Sequence, residues 1–426
     1  MLTKLMLLFS LLFFTCILTF VCPRNAHAIA AFTRQYKTEC STCHTLYPEL
    51  NEYGQTFLKN GYVYSEKRKE EKDVGKPSPS GKGEPSAESG KGDKNEGIRL
   101  SGIPELLPLS ITANQSILYD DNSPDGDDWN FSSRAVRLQG GGAFRELAGF
   151  YATYNLYNHA TVSDTDKLDE MFMVWRQILG TPVNIKFGKF EPKLSLWKMS
   201  DKIIVTSMAT SSFKTGSSPF SMGTSQDALE ANAIIGGRLF IAGGVVDSKG
   251  QKSKDGYGHL SVKFGGADFR GNEPAVDFES ESIWDYLTLT LAAYGYAGRN
   301  SDPYGSLIRN DFYRAGGDVD LLYKRWRLRM SAVSGNDNNP DYLMAKVNAR
   351  PLVLASELEY YFGSPINFVG IFRYEYQNTG TDIVRRYIPA VAYTPLQNVK
   401  LVLQYNQENA AITTNKMALL DVSFSF

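Results

Sequence analysis

Cys40-Ser41-Thr42-Cys43-His44 brings two thiols and an imidazole together within five residues. That spacing allows both cysteines to form thioether bonds to one porphyrin while the adjacent histidine ligates its iron. Cys-x-x-Cys alone also suits a redox dithiol or half of a zinc site; the histidine that follows directly favours haem c. The attachment sequence occurs once, so the expected cofactor is one covalent haem c on Cys40, Cys43 and His44, with His44 as the iron-ligating residue. A single haem exchanges one electron at a time. No catalytic residue is assigned.

The start of the chain bears on compartment. Residues 1–28 carry Lys4, an apolar run from Leu5 to Cys22 and then Ala26-His27-Ala28, the form of a signal-peptidase site, so they read as a signal peptide. Val21 before Cys22 fits a lipoprotein site poorly. Removal after Ala28 discards Cys16 and Cys22 and leaves Cys40 and Cys43 as the cysteines of the mature protein, which excludes a disulfide framework. Charge is nearly balanced, with 45 Lys plus Arg against 46 Asp plus Glu, and gives no basis for nucleic-acid binding. Beyond the leader, no run offers the roughly 20 apolar residues of a spanning helix. The 37 Gly, 24 Tyr and 24 Phe point to β architecture.

Three regions follow the leader. Residues 29–64 form a small segment around the cysteines, in which Leu50, Tyr53, Phe57 and Leu58 recur at helical spacing and offer an apolar face to a porphyrin. Arg34 either pairs with a haem propionate or faces water. A segment this short cannot bury its own core and needs the haem or the next domain as a packing partner. Residues 65–97, rich in Lys, Glu, Ser, Pro and Gly, read as a flexible charged linker.

Residues 98–426 read as an all-β, transmembrane antiparallel barrel. Ala418, Leu420, Val422, Phe424 and Phe426 alternate with Leu419, Asp421, Ser423 and Ser425, and Val399 to Asn406 repeats the period of two. Further candidates run at about 103–119, 131–143, 146–158, 167–179, 182–190, 226–236, 238–247, 255–264, 283–298, 311–323, 325–334, 342–350, 352–362, 366–378 and 382–394, with a doubtful one at 201–212. Eighteen candidates result, and the expectation is about 16, since bacterial barrels have an even number of strands. Long polar loops are expected on the outward end at 120–128, 213–225, 248–254, 265–282, 299–310 and 335–341, with tight turns at the opposite end. Tyr286, Tyr294, Tyr360, Tyr361 and Phe362 are candidates for interfacial girdles. A soluble β-sandwich or propeller is the competing architecture.

Phe32-Thr33-Arg34-Gln35, Cys40-x-x-Cys43-His44, Pro48-x-Leu50, Tyr53-Gly54, Phe57 and Gly61-Tyr62 together resemble the haem segment of the fused monohaem cytochrome-porins, the outer-membrane iron-oxidase type. The resemblance covers residues 32–62 and implies haem c on Cys40 and Cys43, His44 as proximal ligand, and a β-barrel following. Thr33 stands where the family usually has Ala, Gln55 where it often has Arg, and the linker is unusually long, which counts against a haem held rigidly in the lumen.

No Met and no second His lies between Ile29 and Gly97, so a sixth ligand must come from the barrel, from Lys59 or another local donor, or be water. His159 and His259 fall near expected strand ends and read as solvated loop residues. Met171, Met173, Met199, Met208, Met222, Met330 and Met344 read mostly as wall or plug packing. Arg134, Arg137, Lys186, Lys189, Arg325, Arg327 and Arg329 are candidates to line the lumen, where tolerance of charge in water is the simpler explanation. Asp120, Asp121, Asp125, Asp127 and Asp128 can attract ferrous ions, bind calcium or simply keep a loop solvated.

Two functions compete. In one, an outer-membrane protein, its haem segment in the periplasm or the lumen, takes electrons from extracellular ferrous iron or another external redox partner and passes them to a periplasmic c-type cytochrome. In the other, a porin or scaffold with a tethered cytochrome serves outward electron transfer with multihaem partners. Outer-membrane lipid surrounds the barrel in both.

Overall fold

Alternation decides the architecture strand by strand. In the stretch 326–334, Trp326, Leu328, Met330 and Ala332 point outward while Arg327, Arg329, Ser331 and Val333 point inward. In 352–361, Leu352, Leu354 and Leu358 face out, and Val353, Ala355, Glu357 and Glu359 are buried inside. An apolar exterior around a charged interior is what a strand needs between lipid and an aqueous or protein-filled lumen.

The computed structural model describes residues 32, 38, 40–63, 109–121, 128–144, 147–158, 167–247, 254–273, 282–302, 308–363, 367–380, 382–396 and 398–425, without the side chains of 132–134. The expected signal peptide, the linker and residues 98–108 lie outside this set. The N-terminal segment consists of β1 (His44–Leu46), β2 (Glu49–Leu50) and α1 (Glu52–Lys59). Then come β3 (Leu109–Asp120), β4 (Trp129–Phe144), β5 (Ala148–Asn158), β6 (Leu168–Trp175) and β7 (Val183–Phe190). A short hairpin of β8 (Ser212–Thr215) and β9 (Ser218–Ser221) precedes β10 (Gln226–Ile235), β11 (Leu239–Asp247), β12 (Asp255–Phe264), β13 (Leu287–Ser301) and β14 (Arg309–Tyr323). The chain ends with β15 (Trp326–Asp337), β16 (Leu352–Tyr361), β17 (Phe368–Asn378), β18 (Ile383–Leu396), β19 (Val399–Asn409) and β20 (Thr414–Ser425).

β3–β7 and β10–β20 form one closed antiparallel barrel of 16 strands. It closes where β20 pairs with β3, from Met417 opposite Asp120 to Ser425 opposite Thr112. β7 pairs directly with β10, so the 35 residues between them contribute no strand to the wall. Connections at the end where β4 meets β5 include tight turns, such as the three-residue one between β10 and β11, where Gly236 and Gly237 take φ of 56° and 73°. Only glycine adopts this turn freely.

Two of the eighteen candidate strands are absent, which leaves the expected 16. Residues 201–212 lie in the lumen, and 342–350 form an outer connection with a single bridge between Asp337 and Ala349. Both have β-prone composition without a neighbouring strand edge to pair with. The expected outward loop 213–225 instead folds inward as the β8–β9 hairpin, whose Phe213 and Phe220 flank the Arg314 guanidinium inside the barrel. The connection around 265–282 belongs to the short-turn end, since it joins β12 to β13. Tyr294 and Tyr361 are not girdle residues. Tyr294 is buried inside with its hydroxyl at 3.4 Å from the Ala332 carbonyl, and Tyr361 shares the inward face of Glu359. At the turn, Trp326, Tyr360 and Phe362 do cluster outside, with ring centroids 4.5 and 4.9 Å apart.

Inward-facing charges hold the 191–225 segment against the wall. Asp318 accepts from Leu196 N (2.8 Å), Glu375 from Ala209 N (2.9 Å), and Arg373 donates to the Thr206 carbonyl (2.9 Å). A buried irregular segment must have its backbone groups satisfied, and here the wall's ionic side chains do so.

Candidate cofactor site

Cys40–Thr42 form one 3-10 turn closed by Cys43 N donating to the Cys40 carbonyl at 3.1 Å, which places both sulfurs on adjacent positions of a single loop. Both are half-buried thiols rather than a disulfide. Asn51 ties this turn to α1: its Oδ1 caps the helix by accepting from Gly54 N (2.9 Å), while its Nδ2 donates to the Ser41 and Thr42 carbonyls (3.1 and 3.2 Å). Gly54 is required by proximity, because a Cβ there would overlap the Cys43 carbonyl oxygen.

His44 Nδ1 lies 3.1 Å from the Pro48 carbonyl and 3.3 Å from that of Glu49. Donation to a carbonyl fixes the proton on Nδ1 and leaves the Nε2 lone pair for a metal. Burial lowers the imidazole pKa, with the two backbone carbonyls opposing, which keeps that lone pair available. Cys40, Cys43 and His44 open onto a cavity of about 870 Å³ shared with Leu50, Phe57, Tyr62 and Tyr151. Its size lies in the range of roughly 300–1,000 Å³ usual for cofactor sites. Two thiols, an imidazole with a directed lone pair and an apolar wall fit the requirements of a haem c.

The segment lies inside the barrel at the short-turn end. Glu49, 0% exposed, meets Arg327 at 2.5 Å and Arg329 at 2.6 Å, and accepts from the Tyr361 hydroxyl at 2.8 Å. Asp201, from the lumen segment, accepts from Leu50 N (2.7 Å) and Gln55 Nε2 (2.5 Å). On the other side α1 is held by the connection after β12: Glu52 pairs with Lys263 (2.8 Å), and Asn60 donates to the Phe269 carbonyl (3.1 Å). Phe32, Tyr62 and Tyr151 stack in sequence at 5.1 and 5.6 Å. Gly149 admits the Gly61 carbonyl where any side chain would collide.

Several expected donors lie elsewhere. Lys59 is buried with its ammonium over the Phe269 ring at 5.0 Å, its pKa lowered well below the usual value by burial and by Lys193 and Lys263, and it does not line the cavity beside His44. His259 is not a solvated loop residue: it sits within β12, 4% exposed, with Nδ1 at 2.5 Å from the Leu194 carbonyl, because the lumen segment covers it. Met171, Met173 and Met330 are exposed on the outer wall, Met344 on an outer connection, and Met199 packs near Gly223. Of the candidate lumen charges, Arg137, Arg327 and Arg329 face inward and Lys186 stands between Phe172 and Phe190. Arg325 occupies a turn, and Lys189 shares the outward face of Phe187. Arg34, His159 and the Arg134 side chain lie outside the described residues, as does most of the acidic loop. Among the described residues, no three His, Cys, Asp or Glu side chains gather as a metal cage. Sequence reading missed Glu49 and Asp201; an acid beside the motif carries no signal until its arginine partners, about 280 residues away, are known.

No protein-family profile matches this chain, and no curated relative does. The barrel is similar to that of an anion-selective porin from Comamonas acidovorans, with a TM-score of 0.54 and 8% identity, covering 75% of this chain and 98% of the porin. OmpT, an outer membrane protein of Vibrio cholerae, aligns at a TM-score of 0.49 and 9% identity, over 75% of this chain and 98% of that one. The outer membrane channel DcaP of Acinetobacter baumannii aligns at 0.48 and 10%, over 75% and 96%. At such identity the likeness is one of fold: a 16-stranded barrel of the outer-membrane porin type.

Proposed function

We propose that this protein is an outer-membrane electron carrier of the fused cytochrome-porin kind. Cys40 and Cys43 would hold a haem c through their sulfurs and His44 would bind its iron; extracellular ferrous iron is the electron donor, and a periplasmic c-type cytochrome is the acceptor. The observation that carries this reading is the Glu49 clamp. An attachment segment locked to Arg327 and Arg329 inside the lumen stands within the opening that connects the two sides of the apolar layer, roughly 25 Å tall. A cytochrome tethered outside the barrel has no use for a buried ion pair, which weighs against the scaffold alternative.

Haem iron supplies one-electron chemistry when bound. The chain's own residues hold the ring through Cys40 and Cys43, orient His44 through the Pro48 and Glu49 carbonyls, and exclude water from one face with Leu50, Phe57 and Leu58. The test is spectroelectrochemistry of protein matured with haem-attachment machinery and reconstituted in liposomes, with ferrous iron on one side and a cytochrome c on the other. Haem reduction by iron, followed by reduction of the trapped acceptor, is expected. A colourless protein, or a haem that ferrous iron does not reduce at any physiological pH, ends the proposal.

A further inference from the structure

The cavity beside the cysteines extends along one side of the barrel, where residues of β20, β3 and β4 and Lys400 of β19 line it. Across these four strands a row of polar side chains lies near one height. Lys400 is opposite Ser423, Ser423 opposite Asn114, Ser425 opposite Thr112, and Thr112 opposite Arg137. Three strand spacings of roughly 4.8 Å separate the two cations by about 14 Å along the wall.

The neutral members of this row satisfy one another. Asn114 Nδ2 donates to Ser423 Oγ (2.6 Å), Ser423 Oγ donates to Asp421 (2.8 Å), and Thr112 Oγ1 donates to Gln139 (3.0 Å). Asp421 also accepts from Ser116 (2.7 Å). Three donors are left over. Lys400 is 6% exposed, yet its ammonium makes one hydrogen bond, to the Ile203 carbonyl (2.7 Å), and no ion pair among the described residues. Arg137 uses Nε on Asn155 (3.1 Å) and feels the charge of Asp169 without a close ion pair among the described residues. Ser425, 4% exposed, has a buried hydroxyl without a partner among the described residues. A buried ammonium with one hydrogen bond, balanced only at longer range by the charges of Asp421 and Glu49, and a buried hydroxyl without an acceptor among the described residues leave donor capacity unused, and all three groups line the cavity that contains Cys40, Cys43 and His44.

We propose that Lys400, Ser425 and Arg137 form a dicarboxylate-anchoring site for the two propionates of the haem. This rests on the haem reading above. Two acidic side arms on one edge of a porphyrin match two cations with a hydroxyl donor between them, and charge-assisted hydrogen bonds favour that pairing over water. The site fixes the rotation of the ring about its thioether bonds. It also raises the reduction potential, since nearby positive charge favours the state with the added electron.

The experiment uses full-length holo-protein in detergent and measures midpoint potential together with resonance Raman bands of propionate bending. K400M and R137Q are expected to lower the potential, the double variant more than either, while S425A shifts the propionate bands. K400R retains both, and K324M, a charge deletion at a turn, changes neither. Haem-loaded variants with wild-type potential and wild-type bands overturn the site while leaving the carrier function intact. Wild-type protein without haem c removes the carrier reading and this site together. Should K400M fail to fold, R137Q and S425A carry the same test.

Discussion

At the residue scale, position within the fold sets the chemistry of each group more than its type does. Glu191 lies just past β7, and both of its carboxylate oxygens accept from Met199 N, at 3.0 and 3.1 Å. Burial pushes its pKa up to about 7, against the opposing charge of Lys198. Because the folded value lies above the ordinary one, the unfolded chain binds fewer protons between about pH 4.5 and 7, so this residue's contribution is full below that window and is lost as pH rises through about 7. Glu191→Gln should therefore raise the thermal midpoint relative to wild type at pH 8 and leave it near wild type at pH 4.5; equal effects at both values would show that Glu191 is charged throughout. Asn51 is a second such residue. Asn51→Ala removes the helix cap and the link to the Ser41 and Thr42 carbonyls, for an expected loss of about 1–2 kcal/mol, measurable by urea titration with α1 helicity as the readout.

At the element scale, the decisive contact is between an N-terminal segment and a wall almost 280 residues further on. Glu49→Gln keeps the shape but removes the charge from between Arg327 and Arg329. Arg327 keeps Asp320 at 2.8 Å while Arg329 retains only Glu357 and Glu359 at 3.8 Å, so the loss should fall below the roughly 3–5 kcal/mol of a fully broken buried pair. Trypsin cleavage after Lys59, now buried, should accelerate at least tenfold in this variant, and unchanged protection would mean that Glu49 is not the clamp. Gly54→Ala should separate docking from attachment. Its Cβ displaces the Cys43 carbonyl, so the yield of covalent haem is expected to fall while the barrel folds as before, as read by haem absorbance against far-ultraviolet circular dichroism. The segment 191–225 explains why so many ions face inward. Asp318, Glu375, Arg373 and Lys400 bind its backbone, and none of these four is among the charges that sequence alone assigns to the lumen.

At the scale of the whole molecule, one residue's shift along a strand moves a charge from the lumen to lipid. Arg329 is fully buried inside, whereas its neighbour Met330 faces outward near the middle of β15. Met330→Arg should cost about 2–4 kcal/mol in lipid vesicles, seen as a lower urea midpoint, and a neutral result would place this face away from the bilayer. The alternation of β19 and β20 made the barrel legible in sequence, because a period of two is a local property set by backbone pleat. The proposed haem attachment rests on the five contiguous residues Cys40–His44, and so lies within reach of sequence reading for the same reason. The sequence also carried the strand number to within two candidates, 201–212 and 342–350, whose composition suits strands but which have no open edge to join once β7 pairs with β10. What tertiary structure alone decided is where the attachment segment resides and what surrounds it. Glu49 finds Arg327 and Arg329, Asp201 finds Leu50 and Gln55, and Lys400, Ser425 and Arg137 share one wall only after the sheet closes through β20 and β3. Such pairings between distant residues follow from register and closure, and no local pattern in the chain encodes them.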